Sequence, residues 1–153
     1  MASSDEGLAA AIEAIALQAG AAIMETYGRN FTVESKADAS PVTEADQAAE
    51  VIIVTALREL TPDIPVVAEE EVSAGHRPEV GAGPFWLVDP LDGTREFISR
   101  NGDFTVNIAL IRGGAPVLGT VYVPAKEETY TAAGPGAVSR RYGTGAATAI
   151  SAR

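Results

Sequence analysis

After about residue 60 the sequence changes its hydrophobic rhythm and never changes back. Before that point apolar residues recur at helical spacing. In "SSDEGLAAAIEAIALQAGAAIMETYG", Leu8, Ile12, Ile15, Ala19 and Ile23 fall on one face. Ser3 and Glu6 have the spacing of a capping box, and Gly28 is placed to stop the helix. A short strand-like run, Phe31 to Glu34, and a polar loop around "KADASP" follow. A second helix is predicted from near Thr43 to about Leu60, with Val51, Ile52, Ala56 and Leu57 toward the core and Pro62 beyond its end. From there on the runs are short and strand-like: "IPVVAEE", "PFWLVDP", "FTVNIALI", "APVLGTVYVP" and "ETYTAA", punctuated by Gly-Gly and Pro. The last stretch, "GPGAVSRRYGTGAATAISAR", reads as a final hairpin or a loose tail. Two helices followed by a series of strands predict an α+β fold, a mostly antiparallel sheet with both helices packed on one face. No internal repeat or domain boundary is visible.

Composition narrows the chemistry. A chain of 153 residues with 46% hydrophobic content can build one domain with a real core. It has no run of about 18 apolar residues, so no membrane span is expected, and its acidic start, "MASSDEG", lacks the basic region of a signal peptide. Without cysteine there are no disulfides and no thiolate metal sites, which is compatible with a reducing cytoplasm, the expected location. A net charge of -10 makes nucleic acid polymers and anionic membranes poor partners. A small phosphorylated substrate remains open to such a chain, provided cations bridge carboxylates and phosphate.

Acids gather where predicted strands end. Glu69 and Glu70 close one strand, Asp89 and Asp92 close the next, and Asp46 sits in the first turn of the second helix. Carboxylates brought together repel, and either take up protons or are neutralised by a cation. Oxygen-only donors point to a hard cation such as Mg²⁺, with Mn²⁺ or Ca²⁺ as alternatives. In "WLVDPLDGTREF", Pro90 stiffens the chain after Asp89, so that a tight turn could aim Asp89, the Leu91 carbonyl and Asp92 inward. Gly93 permits close backbone approach, and the amides of Gly93 and Thr94 could receive a phosphate oxygen. Taken alone, Asp-Gly most simply reads as a hairpin turn with solvated acids; the joint pattern carries the metal reading.

"WLVDPLDGTREF" resembles the Asp-Pro-x-Asp-Gly-Thr signature of the inositol-monophosphatase-like, Mg²⁺-dependent, lithium-sensitive phosphatases. "PVTEADQAAE" and "VVAEEE" match in the expected order, and the resemblance spans nearly the whole chain. "DGTREFISRNGDFTVNIALI" is similar to the 3'(2'),5'-bisphosphate nucleotidase branch, because inositol monophosphatases usually carry Thr-Asn-Phe where this chain has Arg-Glu-Phe. The resemblance implies the first half of the sugar-phosphatase αβαβα fold. It implies Glu69, Asp89, the Leu91 carbonyl and Asp92 as ligands of two or three Mg²⁺ ions, with Glu70 supporting them from outside and Glu69 preferred over Glu70 as the ligand. It implies Asp46 and Thr94 as the pair that activates water, inhibition by Li⁺, and hydrolysis of 3'-phosphoadenosine 5'-phosphate to AMP and phosphate in sulfate assimilation. The family's second α/β half, with its Trp-Asp-x-Ala-type motif, does not occur in residues 1–153, so an N-terminal metal-binding domain is expected, with a complementing half or a second copy as partner.

Other residues read more plainly. His76, the only histidine, belongs to a surface loop, and Trp86 to the core or a seam. Arg95 and Arg100 are expected to be solvated, and Lys36 is a minor candidate for a substrate phosphate. "GGAPVLG" lacks the context of a dinucleotide-binding loop. The alternatives to nucleotide hydrolysis are an inositol or other sugar monophosphatase, and a non-catalytic metal-binding or interaction module.

Overall fold

The structure, a computed structural model, describes residues 4–28, 41–134, 137–143 and 145–151. Ser3, the strand-like run Phe31 to Glu34 and Lys36 lie outside the described residues. Helix α1 spans Asp5–Tyr27 and is capped by Ser4, whose side chain accepts the Gly7 N–H at 3.0 Å. The predicted face is the buried one: Leu8, Ile12, Ile15, Ala19 and Ile23 all lie in the core. By length and composition α1 could cross a bilayer, which the sequence reading did not anticipate. Here its apolar face is spent on the sheet. Its packing is close at Gly20, where a Cβ would lie 2.7 Å from Tyr122 Cδ2.

Helix α2 spans Pro41–Leu60, opening two residues before the predicted Thr43. Proline suits a first helical position, where the N–H has no partner to lose. The buried line runs Ala45, Ala49, Ile53 and Leu57, each with no exposure. Val51, expected in the core, is 66% exposed, and Ile52 and Ala56 only flank the core. The apolar run at 51–54 wraps more than one face of the helix, so its composition could not say which face docks.

Seven strands form one sheet in chain order: β1 Val66–Ala68, β2 Phe85–Asp92, β3 Thr105–Arg112, β4 Ala115–Val123, β5 Glu128–Ala132, β6 Val138–Tyr142 and β7 Thr148–Ala149. Strands β1 and β2 are parallel and every other neighbouring pair is antiparallel. The α+β expectation holds, and the uncertain tail folds as the β6–β7 hairpin. Two short helices interrupt the meander, α3 Glu69–Ser73 and α4 Thr94–Ser99. Glu69 and Glu70 therefore open a helix rather than close a strand, a correction to the sequence reading.

Trp86, Val88, Val106, Ile108, Leu110 and Leu118 are buried toward α1 and α2. Trp86 is a core residue whose indole N–H donates to the Thr61 hydroxyl at 2.8 Å. Phe97 of α4, Phe104 and Tyr27 make a ring cluster with centroids 4.9 to 5.4 Å apart, which pins α4 to the end of α1. The opposite sheet face is open and apolar. Leu87 and Val121 stand exposed on it, beside a hollow of about 580 Å³ whose lining, among the described residues, has Asp89 as its single charged residue.

Candidate metal centre

Strand register explains why acids far apart in sequence meet. In the parallel pair Ala68 lies beside Val88, so the next residues, Glu69 just past the end of β1 and Asp89 within β2, emerge side by side. The spacing of Asp89 and Asp92 has a second cause. In a regular strand an interval of three places two side chains on opposite faces. Here Asp89 pairs with Asn107 and Asp92 with Thr105, three steps on β2 against two on β3. This β-bulge returns both aspartates to one side. On the facing strand Asn107 Nδ2 donates to Thr105 Oγ1 at 2.9 Å, as neighbours on one face do. Pro90, fully buried, sits in the bulge where a ladder N–H is not needed.

Helix α2 supplies the third contribution. Asp46 lies within hydrogen-bonding reach of Glu70, and Asp89 of Glu69. Burial, first, and then the bond to Glu70 and the charges of Glu70, Glu69 and Asp89 push Asp46 up to about 8. Burial, the bond to Glu69 and the charges of Glu69 and Asp92 push Asp89 up to about 7, against the Leu91 amide, which pulls it down. Asp46 Oδ1 and Asp89 Oδ1 are buried without a hydrogen-bond partner. Among the described residues no three acids close into a cation cage; they stand as two pairs, Asp46 beside Glu70 and Asp89 beside Glu69. The donor chemistry nonetheless suits a hard cation. The oxygens are carboxylate, two are unpartnered, and positive charge there would relieve the repulsion among them.

The remaining acids sort themselves by partner. Glu69 faces Asp89 and Glu70 faces Asp46. Glu71 turns away to Arg58 at 2.9 Å. Leu91 buries its side chain in the core and offers its backbone to the site. Gly93 holds φ +99°, and a Cβ on it would lie 3.1 Å from Phe104 Cα, so the chain turns tightly into α4 there. Thr94 is exposed at the first position of α4, and among the described residues its hydroxyl makes no hydrogen bond to Asp46. Arg100 is not aimed at the acids; its guanidinium donates to the Tyr27 carbonyl at 2.9 Å and lies 5.2 Å over the Tyr27 ring. Arg95 and His76 are exposed.

One residue was missed from sequence. Glu50, only 5% exposed, lies one turn beyond Asp46 on the same face of α2. Its carboxylate accepts the Glu70 N–H at 2.7 Å and the Glu71 N–H at 3.0 Å. The signal that could have found it is the i, i+4 pair of acids in "EADQAAE".

Two helices pack on one face of a meander, with acids from α2, α3 and β2 meeting at one sheet end, and the profile of the inositol monophosphatase family matches residues 3–147. The chain belongs to that family. It is 54% identical over 121 residues to the 3'(2'),5'-bisphosphate nucleotidase CysQ of Escherichia coli (strain K12), covering 78% of this chain and 49% of that protein. The crystal structure of CysQ from Bacteroides thetaiotaomicron aligns with TM-score 0.74 at 41% identity, covering 88% of this chain and 49% of that one. An inositol monophosphatase from Zymomonas mobilis aligns with TM-score 0.77 at 31% identity, covering 93% and 53%. The chain thus spans about half the length of the curated relatives it matches.

Proposed function

We propose that this chain is the metal-binding part of a Mg²⁺-dependent phosphomonoesterase acting on 3'-phosphoadenosine 5'-phosphate, releasing AMP and phosphate. The observation that carries the reading is the pair of buried, unpartnered carboxylate oxygens on Asp46 and Asp89, set beside the acids Glu70 and Glu69. The substrate rests on the 54% identity to nucleotidases.

Glu69, Asp89, the Leu91 carbonyl and Asp92 would hold the ions, two or three by family resemblance, and Glu70 would fix Asp46 from outside. Bound Mg²⁺ would supply charge neutralisation at the phosphate and a nucleophilic water at neutral pH. The chain's own residues do the rest. Thr94 orients the attacking water and Asp46 takes its proton through the Thr94 hydroxyl. The Gly93 and Thr94 amides hold a phosphate oxygen. The water oxygen bonds to phosphorus in line as the ester P–O bond breaks, and the departing 3'-oxygen takes its proton from solvent water. No covalent phosphoenzyme forms.

Residues 1–153 would form an N-terminal domain, with full turnover drawing on a complementing half or a second copy packed against the open sheet face. That face also favours a second reading, a non-catalytic interaction module. The structural likeness to the Zymomonas mobilis enzyme favours a third, hydrolysis of inositol or other sugar phosphates.

The test is phosphate release from 3'-phosphoadenosine 5'-phosphate and from inositol 1-phosphate, with and without Mg²⁺, in the chain and in Asp92→Asn and Thr94→Ala. Mg²⁺-dependent release from the nucleotide, abolished by Asp92→Asn and lowered about 100-fold or more by Thr94→Ala, is expected. Release from the inositol ester alone moves the substrate assignment. Release from neither ester, with self-association in solution, supports the interaction module.

A further inference from the structure

Helix α3 carries the two acids that meet Asp46 and Asp89, yet it begins without a cap of its own. Its N-cap is Ala68, fully buried in the core, and no side chain of α3 itself bonds the first-turn amides. Alanine is among the poorest N-cap residues, and the cap normally accepts from the second or third amide of the helix. In α3 those amides belong to Glu70 and Glu71, and the group they reach is the Glu50 carboxylate, 20 and 21 residues earlier in the chain. The cap is supplied by another helix.

That arrangement costs more than a local serine would. Glu50 is nearly inaccessible, and burying a carboxylate beside Glu70 and Glu71 is unfavourable. What it gains is a tie. Asp46 and Glu50 are one turn apart on α2, so α2 grips the acidic turn twice: Asp46 on the Glu70 side chain, Glu50 on the Glu70 and Glu71 backbone. A serine at position 68 would cap α3 but leave its distance from α2 free.

We propose that Glu50 is a positioning residue for the metal centre: by clamping the Glu70 and Glu71 amides it sets the separation between Asp46 on α2 and Glu69–Glu70 on α3. It touches neither cation nor substrate and acts through α3. The proposal rests on the metal-centre reading above.

The experiment measures Mn²⁺ affinity by electron paramagnetic resonance, Mn²⁺ standing in for Mg²⁺, together with thermal stability and NMR exchange of the Glu70 and Glu71 amides. Glu50→Gln leaves one acceptor and turns an NH₂ toward a donor; Glu50→Asp keeps the charge on a stem too short to reach both amides and serves if the first variant does not fold. Expected are faster exchange at both amides and a loss of Mn²⁺ affinity of roughly 10- to 100-fold, the usual scale for a residue that supports ligands from outside. Adding Ala68→Ser to Glu50→Gln is expected to recover thermal stability without recovering affinity. Unchanged Mn²⁺ affinity in the Glu50 variants overturns the proposal. So does affinity restored by Ala68→Ser, which would make Glu50 a cap and nothing more. A wild-type chain that binds no Mn²⁺ while both amides stay protected overturns the metal reading itself, and this proposal with it.

Discussion

Replacing Asp46 by asparagine should make the metal-free chain more stable at alkaline pH and change it much less in mild acid. The reason is linkage. Asp46 is lifted from an ordinary 3.8 to about 8 by burial and by Glu70, Glu69 and Asp89. A carboxyl raised in the folded state keeps its proton there while the unfolded chain gives it up. The resulting penalty is absent below about pH 4, grows with pH, and is complete above about pH 8. At about 1.4 kcal/mol per pH unit of displacement, the full penalty is roughly 5 to 6 kcal/mol. Asp46 is only partly buried, so solvent screening reduces this by about half, to roughly 2 to 3 kcal/mol. Between pH 5 and pH 8.5 the difference that Asp46→Asn removes is then about 2 kcal/mol. The assay is urea unfolding in EDTA at those two pH values. The expected result is a gain in stability about 2 kcal/mol larger at pH 8.5 than at pH 5, and for a chain of this size that is a shift of about 4 to 8 °C in Tm. Adding Mg²⁺ at pH 8.5 should stabilise the wild type more than the variant. Equal gains at both pH values, or a loss at pH 8.5, would refute the reasoning, because either outcome means that Asp46 is not strained by its acidic neighbours.

Two further substitutions test the backbone that shapes the site. Gly93→Ala must hold φ +99° with its Cβ against Phe104 Cα, and the expected cost is about 2 kcal/mol in urea unfolding; an unchanged midpoint would show that the turn into α4 relaxes freely. Gly20→Ala gains about 1 kcal/mol of helix propensity but drives a methyl group into the Tyr122 ring, so a net loss of about 1 kcal/mol is expected by thermal melting, and a gain in Tm would mean that the ring swings aside.

Much of the fold was legible because periodicity is a physical signal. The α1 face was read correctly, since one side of that helix carries its large apolar residues and that side meets the sheet. The α2 face was not, since Val51 to Val54 is apolar all round and the docked line is marked by two alanines, Ala45 and Ala49. The acids were found as a group, but their geometry was not. The sequence reading aims Asp89 and Asp92 inward together by a tight turn, but "DPLD" does not announce the means, a bulge set by the register with Asn107 and Thr105. Nor did "AEEE" show that it opens a helix, since the residue that caps it is Glu50, on a different element. Local sequence reports local propensity; it is silent about a carboxylate whose partners are backbone amides elsewhere in the chain.

The parallel pairing of β1 with β2 also bears on when the site comes into being. Strands β3 to β6 join neighbours through tight reversals, whereas β1 reaches β2 only across residues 69–84. Closing that longer connection loses chain entropy before any contact repays it. Asp46, Glu69 and Asp89 come together only when that connection closes, so the acids are expected to meet late in folding. A cation captured so late would arrive beyond the folding barrier. It should lengthen the lifetime of the native state and leave the speed of reaching it almost untouched.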